Sequence, residues 1–204
     1  MKRVLLLALS TLLVSSAATV TSYAQTGKTK TTKSKATKSA TEINWLSLDE
    51  IQARMLKEPR KVYMDVYTDW CGWCKKMDVG TFTNPDVVRY LNANFYAFKF
   101  NAERQDTINF QGKKYYYNPD YKCNTLAAEL LGGKMGYPTS VFFLENFQNP
   151  NPVGGYHDVK EMEMFLTYFG DNTYKHKAWA DHQKDFKQTW KEVASAGMNA
   201  PVGH

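Results

Sequence analysis

The feature that most narrows the fold is a junction between two kinds of periodicity. Lys61 to Thr68 is a β-prone run, with Val62, Met64 and Val66 on one side and Tyr63, Asp65 and Tyr67 on the other. It leads within a few residues into Cys71-Gly72-Trp73-Cys74-Lys75-Lys76-Met77. The alternation predicts a strand, central in its sheet, and the cysteine-bearing stretch predicts a helix starting at the strand's end. Upstream, Ser47 and Glu50 stand in capping-box spacing, Leu48, Ile51, Met55 and Leu56 form an apolar face, and Pro59 ends that helix. Downstream, Asn84-Pro85 opens a helix to about Asn92, and Phe95 to Phe100 is a strand. Thr125 to Leu131 predicts a short helix closed by Gly132-Gly133, and Ser140 to Leu144 and Val153 to Tyr156 predict strands. Val159 to Phe169 predicts an amphipathic helix, and Lys177 to Ala194 a polar one carrying Trp179, Phe186 and Trp190 as docking residues. The order βαβαββα, with helices before and after, argues for an α/β sandwich. Ala102 to Asn124 breaks the pattern and reads as an insertion, with a hairpin over Asn109 to Tyr115 turning at Gly112.

The first residues do not belong to that body. Lys2 and Arg3 precede a mostly apolar stretch from Val4 to Val14, and small residues follow to Ser22-Tyr23-Ala24. That order predicts a secretory signal peptide over residues 1–24; the run is shorter than the ~20 residues that span a bilayer. Residues 25–41 are almost wholly Thr, Lys, Ser, Ala and Gly, the composition of a disordered linker. A folded domain is expected over 42–175, with the insertion at about 102–124, and a C-terminal helix and tail over 176–204. The net charge of +6 comes from the leader and linker. Lys2, Arg3, Lys28, Lys30, Lys33, Lys35 and Lys38 all precede Glu42, the first acid, and from there on acids slightly outnumber bases. The body therefore lacks the basic excess of a nucleic-acid-binding domain. No later stretch is long and apolar enough to cross a membrane.

Three cysteines make an odd count for an exported chain. Cys71 and Cys74 are close enough to pair, and Cys123 is left over, either a regulatory or dimer-forming thiol or, as a lone cysteine more often is, a buried small hydrophobe. At a helix start, the first sulfur faces unpaired N–H groups and the positive end of the helix dipole. Both favour the thiolate, which is the attacking species. Cys74, one turn inward and less accessible, resolves the mixed disulfide that Cys71 forms. Lys75 and Lys76 add a smaller electrostatic push. Trp70 and Trp73 offer apolar surface to a partner chain. Zinc is the chemical rival, but His157, His176, His182 and His204 are scattered and supply no second ligand pair. Tyr115, Tyr116, Tyr117 and Tyr121 either line a partner groove or pack an edge hairpin on the domain.

The run Asp65-Val66-Tyr67-Thr68-Asp69-Trp70-Cys71-Gly72-Trp73-Cys74-Lys75 resembles the active-site segment of the thioredoxin superfamily. Gly136-Tyr137-Pro138-Thr139, ahead of a strand, resembles that family's cis-proline loop, and Lys99 matches its strand lysine. The likeness covers roughly Lys61 to Phe169, and is nearest to exported thioredoxin-like proteins and the soluble reducing domains of thiol-disulfide interchange proteins. Trp73 stands where thioredoxin itself commonly has proline, and the insertion lengthens the path from Lys99 to the proline loop. The resemblance implies a thioredoxin-like three-layer sandwich with a hairpin-like insertion and an added C-terminal helix. It implies that Cys71 attacks, Cys74 resolves, Asp65 and Lys99 manage the proton, and Trp70, Trp73, Tyr137 and Pro138 receive the partner. The buried acid would have a raised pKa opposed by Lys99, fit to take the Cys74 proton.

The expected activity is reduction of protein disulfides in an exported location, periplasmic or secreted. The redox centre is the Cys71–Cys74 disulfide itself, with no organic cofactor or metal. The partners are disulfide-bearing clients and an upstream thiol donor. Two alternatives stay open: an oxidase or isomerase using the same cysteines, and a thioredoxin-like binding module whose disulfide is static.

Overall fold

The computed structural model describes residues 41–192. The expected leader, all but the last residue of the linker, and the end of the C-terminal tail lie outside the described residues. The main sheet has four strands in the order β2 (Phe95–Asn101), β1 (Lys61–Tyr67), β7 (Thr139–Leu144) and β8 (Gln148–Gly154). β1 and β2 are parallel, whereas β7 runs antiparallel to both β1 and β8. β1 is central, and its alternation sorts the layers. Val62, Met64 and Val66 join Phe98, Phe100, Val141 and Phe143 in one core, under α1 (Leu48–Met55), α4 (Thr125–Leu130) and the insertion hairpin. Tyr63 joins Ala97 and Phe142 in the other, under α2 (Gly72–Val79), α3 (Pro85–Asn94) and α5 (Val159–Gly170). Each fully buried Leu, Met or Phe contributes about 1.5–3 kcal/mol, so both faces hold the sheet firmly. The chain adopts the thioredoxin-like α/β fold expected from the sequence, with a mixed sheet sandwiched between helices.

Local signals set most element bounds. The Ser47–Glu50 capping box forms at α1 in both directions. Asn84 caps α3 through the backbone N–H groups of Asp86 and Val87. Gly132 and Gly133, at φ +61° and +74°, end α4 in the left-handed region that side chains disfavour. In the insertion, β3 (Ile108–Phe110) pairs with β4 (Lys113–Tyr115) around Gln111-Gly112, both at positive φ as a two-residue hairpin turn requires. β5 (Tyr117–Asn118) and β6 (Cys123–Asn124) form a second small ladder.

Three expectations are corrected. Leu56, assigned to the apolar face of α1, is exposed and stands at the helix C-cap. The last strand is Gln148–Gly154 rather than Val153 to Tyr156. β8 carries Pro150 and Pro152, which an edge strand tolerates where the missing N–H would have faced away from the ladder. The C-terminal helix is shorter than Lys177 to Ala194: α6 covers only Trp179–Asp185, and Phe186 is extended. The reason is the buried carboxylate of Glu163, which accepts from the N–H groups of Thr189 and Trp190 and from the Thr189 hydroxyl. Those N–H groups cannot also serve a helix. Trp190 is buried against Tyr90, so it docks the segment but not from a helix, while Trp179 stacks on Phe165.

Candidate functional site

The chain turns from β1 into α2 through Thr68, whose carbonyl accepts the Cys71 N–H at 3.1 Å. Cys71 is the N-cap of α2: its sulfur accepts the Cys74 N–H at 3.1 Å, and its carbonyl accepts the Lys75 N–H at 3.2 Å. Cys71 and Cys74 are joined in a disulfide. The sulfur thus occupies the place where a helix has spare donors and positive potential. One detail departs from expectation. Cys71 was to stand open with Cys74 behind it, but the two retain 4% and 3% of their surface. Both cysteines are buried in the disulfide-bonded chain, and the exposed groups are those around them. Trp70 and Trp73 keep 67% and 54% of theirs, and Gly72 faces open space.

Beneath α2, Asp65 projects from β1 on the same face as Tyr63. It is 1% exposed, and Lys99 from the neighbouring strand stands 3.2 Å from its Oδ2. The lysine also pairs with Asp78 of α2 and lies over the rings of Tyr67, Trp45 and Phe82. Burial pushes the Asp65 carboxyl up to about 6; Lys99 opposes this and Asp78 adds to it. Burial alone would lower the lysine, but Asp65 and Asp78 together hold it above its ordinary value. Asp65 Oδ1 and Thr68 Oγ1 are buried without a hydrogen-bond partner among the described residues. A buried carboxylate oxygen left unpaired is an acceptor waiting for a proton.

The rim draws on the loops at this end of the sheet. Tyr137-Pro138 is a cis peptide, and the Pro138 carbonyl accepts from Gly155. Trp70 donates through Nε1 to Glu103 at 2.9 Å and meets Tyr137 edge-on at 6.0 Å. Trp73 packs on Tyr156 at 5.4 Å, and the Lys76 ammonium lies 4.7 Å from the Trp73 ring and 5.0 Å from Tyr156. Burial, with Cys123 and Glu103 nearby, pushes the Tyr137 hydroxyl up to about 12. Cys123 is 1% exposed and its thiol is raised by burial, as befits a small core residue. Among the insertion tyrosines, Tyr115 is buried against Phe110, whereas Tyr116 and Tyr121 are exposed.

A protein-family model described as "Thioredox_DsbH: Protein of unknown function, DUF255" matches residues 29–197. The chain belongs to this family. With its Cys71–Cys74 disulfide, this DsbH-family chain has the equipment of a thiol-disulfide oxidoreductase. No curated protein matches the sequence. Among solved structures it is similar to a thioredoxin-fold protein from Helicobacter pylori, at 16% identity over 62% of this chain and 81% of that one, TM-score 0.44. It is similar to a protein described as DsbH oxidoreductase, at 14% identity over 58% and 76%, TM-score 0.41. A third is the C-terminal domain of Neisseria meningitidis DsbD in its reduced form, at 20% identity over 63% and 98%, TM-score 0.40.

In this DsbH-family chain Trp70, Cys71, Trp73, Cys74, Tyr137 and Pro138 lie at one end of the sheet, with Asp65 and Lys99 on the strands beneath α2. The structure adds three that sequence reasoning missed. Asp78 follows Cys74 by one helical turn, a spacing that could have marked it as a neighbour. Glu103 and Tyr156 come from opposite edges of the sheet and had no local signal.

Proposed function

We propose that the chain reduces disulfides of client proteins outside the cytoplasm. In the reduced enzyme, the Cys71 thiolate attacks one sulfur of a client disulfide. The client S–S bond breaks, a Cys71–client mixed disulfide forms, and the departing client thiolate takes up a proton. Cys74, giving its proton to Asp65, then attacks Cys71 Sγ. The mixed disulfide breaks, the second client thiolate leaves, and the Cys71–Cys74 bond re-forms. The client gains two electrons and the cysteine pair loses two; an upstream dithiol restores the pair. Trp70, Trp73, Tyr137 and Pro138 hold the client segment. The observation that carries this reading is the N-cap position of Cys71, whose sulfur accepts the Cys74 N–H at 3.1 Å. Once the disulfide opens, the same N–H is placed to donate to the thiolate. The unpaired Oδ1 of Asp65 supports the proton step. Export, to the periplasm or beyond, is supported by the basic, apolar and small-residue order of residues 1–24.

Insulin disulfide reduction tests the reading: the wild type should turn over, and Cys71→Ser should not. Equal activity in that variant removes the mechanism. A reduction potential near about −270 mV is expected of a reductase, and one near about −120 mV would assign the oxidase direction. The deep burial of both cysteines favours a second reading, a binding module with a static disulfide. Absence of turnover together with resistance of the disulfide to dithiols would select it.

A further inference from the structure

Strand directions decide what surrounds the disulfide. β1 and β2 are parallel, β7 opposes β1 and β8 opposes β7. The C-terminal ends of β1, β2 and β8 therefore meet the N-terminal end of β7. In sheet order these ends carry Glu103, Trp70-Cys71, Tyr137-Pro138 and Tyr156. Trp70 bonds toward the β2 side through Glu103, and Trp73 packs toward the β8 side on Tyr156.

Charge is divided the same way. Beside Trp70 stand the exposed Asp69 and the half-buried Glu103. Beside Trp73 stand Lys75 and Lys76, both exposed. Among the described residues neither lysine has a carboxylate within ion-pair distance; the other site lysine, Lys99, has two. Lys76 is instead positioned by two aromatic rings, at 4.7 and 5.0 Å. Ring faces attract an ammonium modestly at exposed sites but accept its hydrogen bonds poorly, so the charge is drawn to this place with donors to spare. An ammonium held on the Trp73 and Tyr156 rings, two residues beyond Cys74 and with no carboxylate partner among the described residues, suits an incoming one.

We propose that Lys76, held against the paired rings of Trp73 and Tyr156, selects client segments that carry an acidic side chain next to the cysteine under attack. The inference rests on the client-reduction reading and names the substrate class at that site. Lys76 is a specificity residue: it touches the partner's flank, not the reacting sulfurs.

The test uses matched cystine peptides whose cysteine is flanked by Glu, Gln or Lys, reduced by the full chain at low salt. The Glu peptide should show kcat/KM about two- to fivefold above the Gln peptide, the range that exposed ion pairs supply. The advantage should vanish near 1 M salt, where the Debye length falls to about 3 Å. Lys76→Gln should abolish it, Lys76→Glu should transfer it to the Lys peptide, and Lys175→Gln, distant from the site, should leave the order intact. Equal rates for Glu and Gln peptides, or a preference that survives Lys76→Gln, overturn the proposal. Tryptophan fluorescence of the oxidised chain, titrated with serine versions of the peptides, reads selection without turnover. Glu preference there with no reduction would retain the selection and remove the redox reading. No preference there and no reduction would remove both.

Discussion

Two buried carboxylates sit under the helices of the same protein and are treated in opposite ways. Glu163, in α5, is 2% exposed and gives both oxygens to N–H and hydroxyl donors of Thr189 and Trp190. Asp65, in β1, is 1% exposed and has one oxygen against Lys99 and one with no partner among the described residues. The first is saturated by donors that do not titrate, and what it does is fix the path of the chain after α6. The second has fewer donors to offset its burial, and burial raises its proton affinity against the pull of Lys99. Burial alone marks neither as chemical; the count of satisfied lone pairs separates them.

Asp65→Asn should break the contrast most severely. Loss of the proton acceptor should lower insulin reduction about 100-fold, the lower range for general acid–base catalysis, with Cys71 still able to form the mixed disulfide. Stability should move the other way. The folded carboxyl takes its proton at about 6 and the free group at about 3.8. The folded chain thus holds an extra proton between those values, and this group's contribution to stability falls as pH rises from ~4 through ~6. The variant of the oxidised chain should be more stable than wild type by about 2–3 kcal/mol at pH 7, and equal to it below pH 4. Urea melts at both values check this.

Glu163→Ala should do the reverse. It leaves the Thr189 and Trp190 donors without their charged acceptor and should cost about 3 kcal/mol in the same melts. Turnover per folded molecule should hold. A matching loss of specific activity would mean that the C-terminal segment acts on the site.

These two residues also show what the sequence could tell. Asp65 was legible because it stands on an alternating strand just before a cysteine pair, and the resemblance gave that position a task. Its partner Lys99 was legible only through the resemblance, which marks a strand lysine there; that it faces Asp65 in register across β1 and β2 needed the structure. Glu163 was not, because a glutamate in an amphipathic helix reads as solvent-facing until the chain beyond α6 folds back onto it. The same return explains why the C-terminal helix was drawn too long: Trp179, Phe186 and Trp190 keep helical spacing, but tertiary bonds to Glu163 outbid the local pattern. β8 was misplaced for the converse reason, since its prolines and asparagines look like a turn unless the strand is known to be an edge. Rim residues Glu103 and Tyr156 depend on sheet order alone, which no local window contains.

Lys99→Met sharpens the comparison on the Asp65 side. With the opposing cation gone and Asp78 still nearby, the carboxyl should move above about 6. Infrared titration of the carboxyl band in the oxidised chain follows it, and a downward shift would show that Lys99 does not govern Asp65. The smallest effect is expected at the other end of the C-terminal segment. Asn84 caps α3 and donates through its amide to the Lys191 carbonyl at 2.8 Å. Asn84→Ala should cost ~1–2 kcal/mol without altering turnover or the Asp65 titration.

The account depends on Cys71 being ionised near neutral pH once the disulfide opens. Thiolate absorbance of the Cys74→Ser chain, titrated against pH with Cys71→Ser/Cys74→Ser as the blank for buried Cys123, measures this directly. A Cys71 midpoint well below the free-thiol value of ~8.5 is predicted. A midpoint at or above that value would contradict the account.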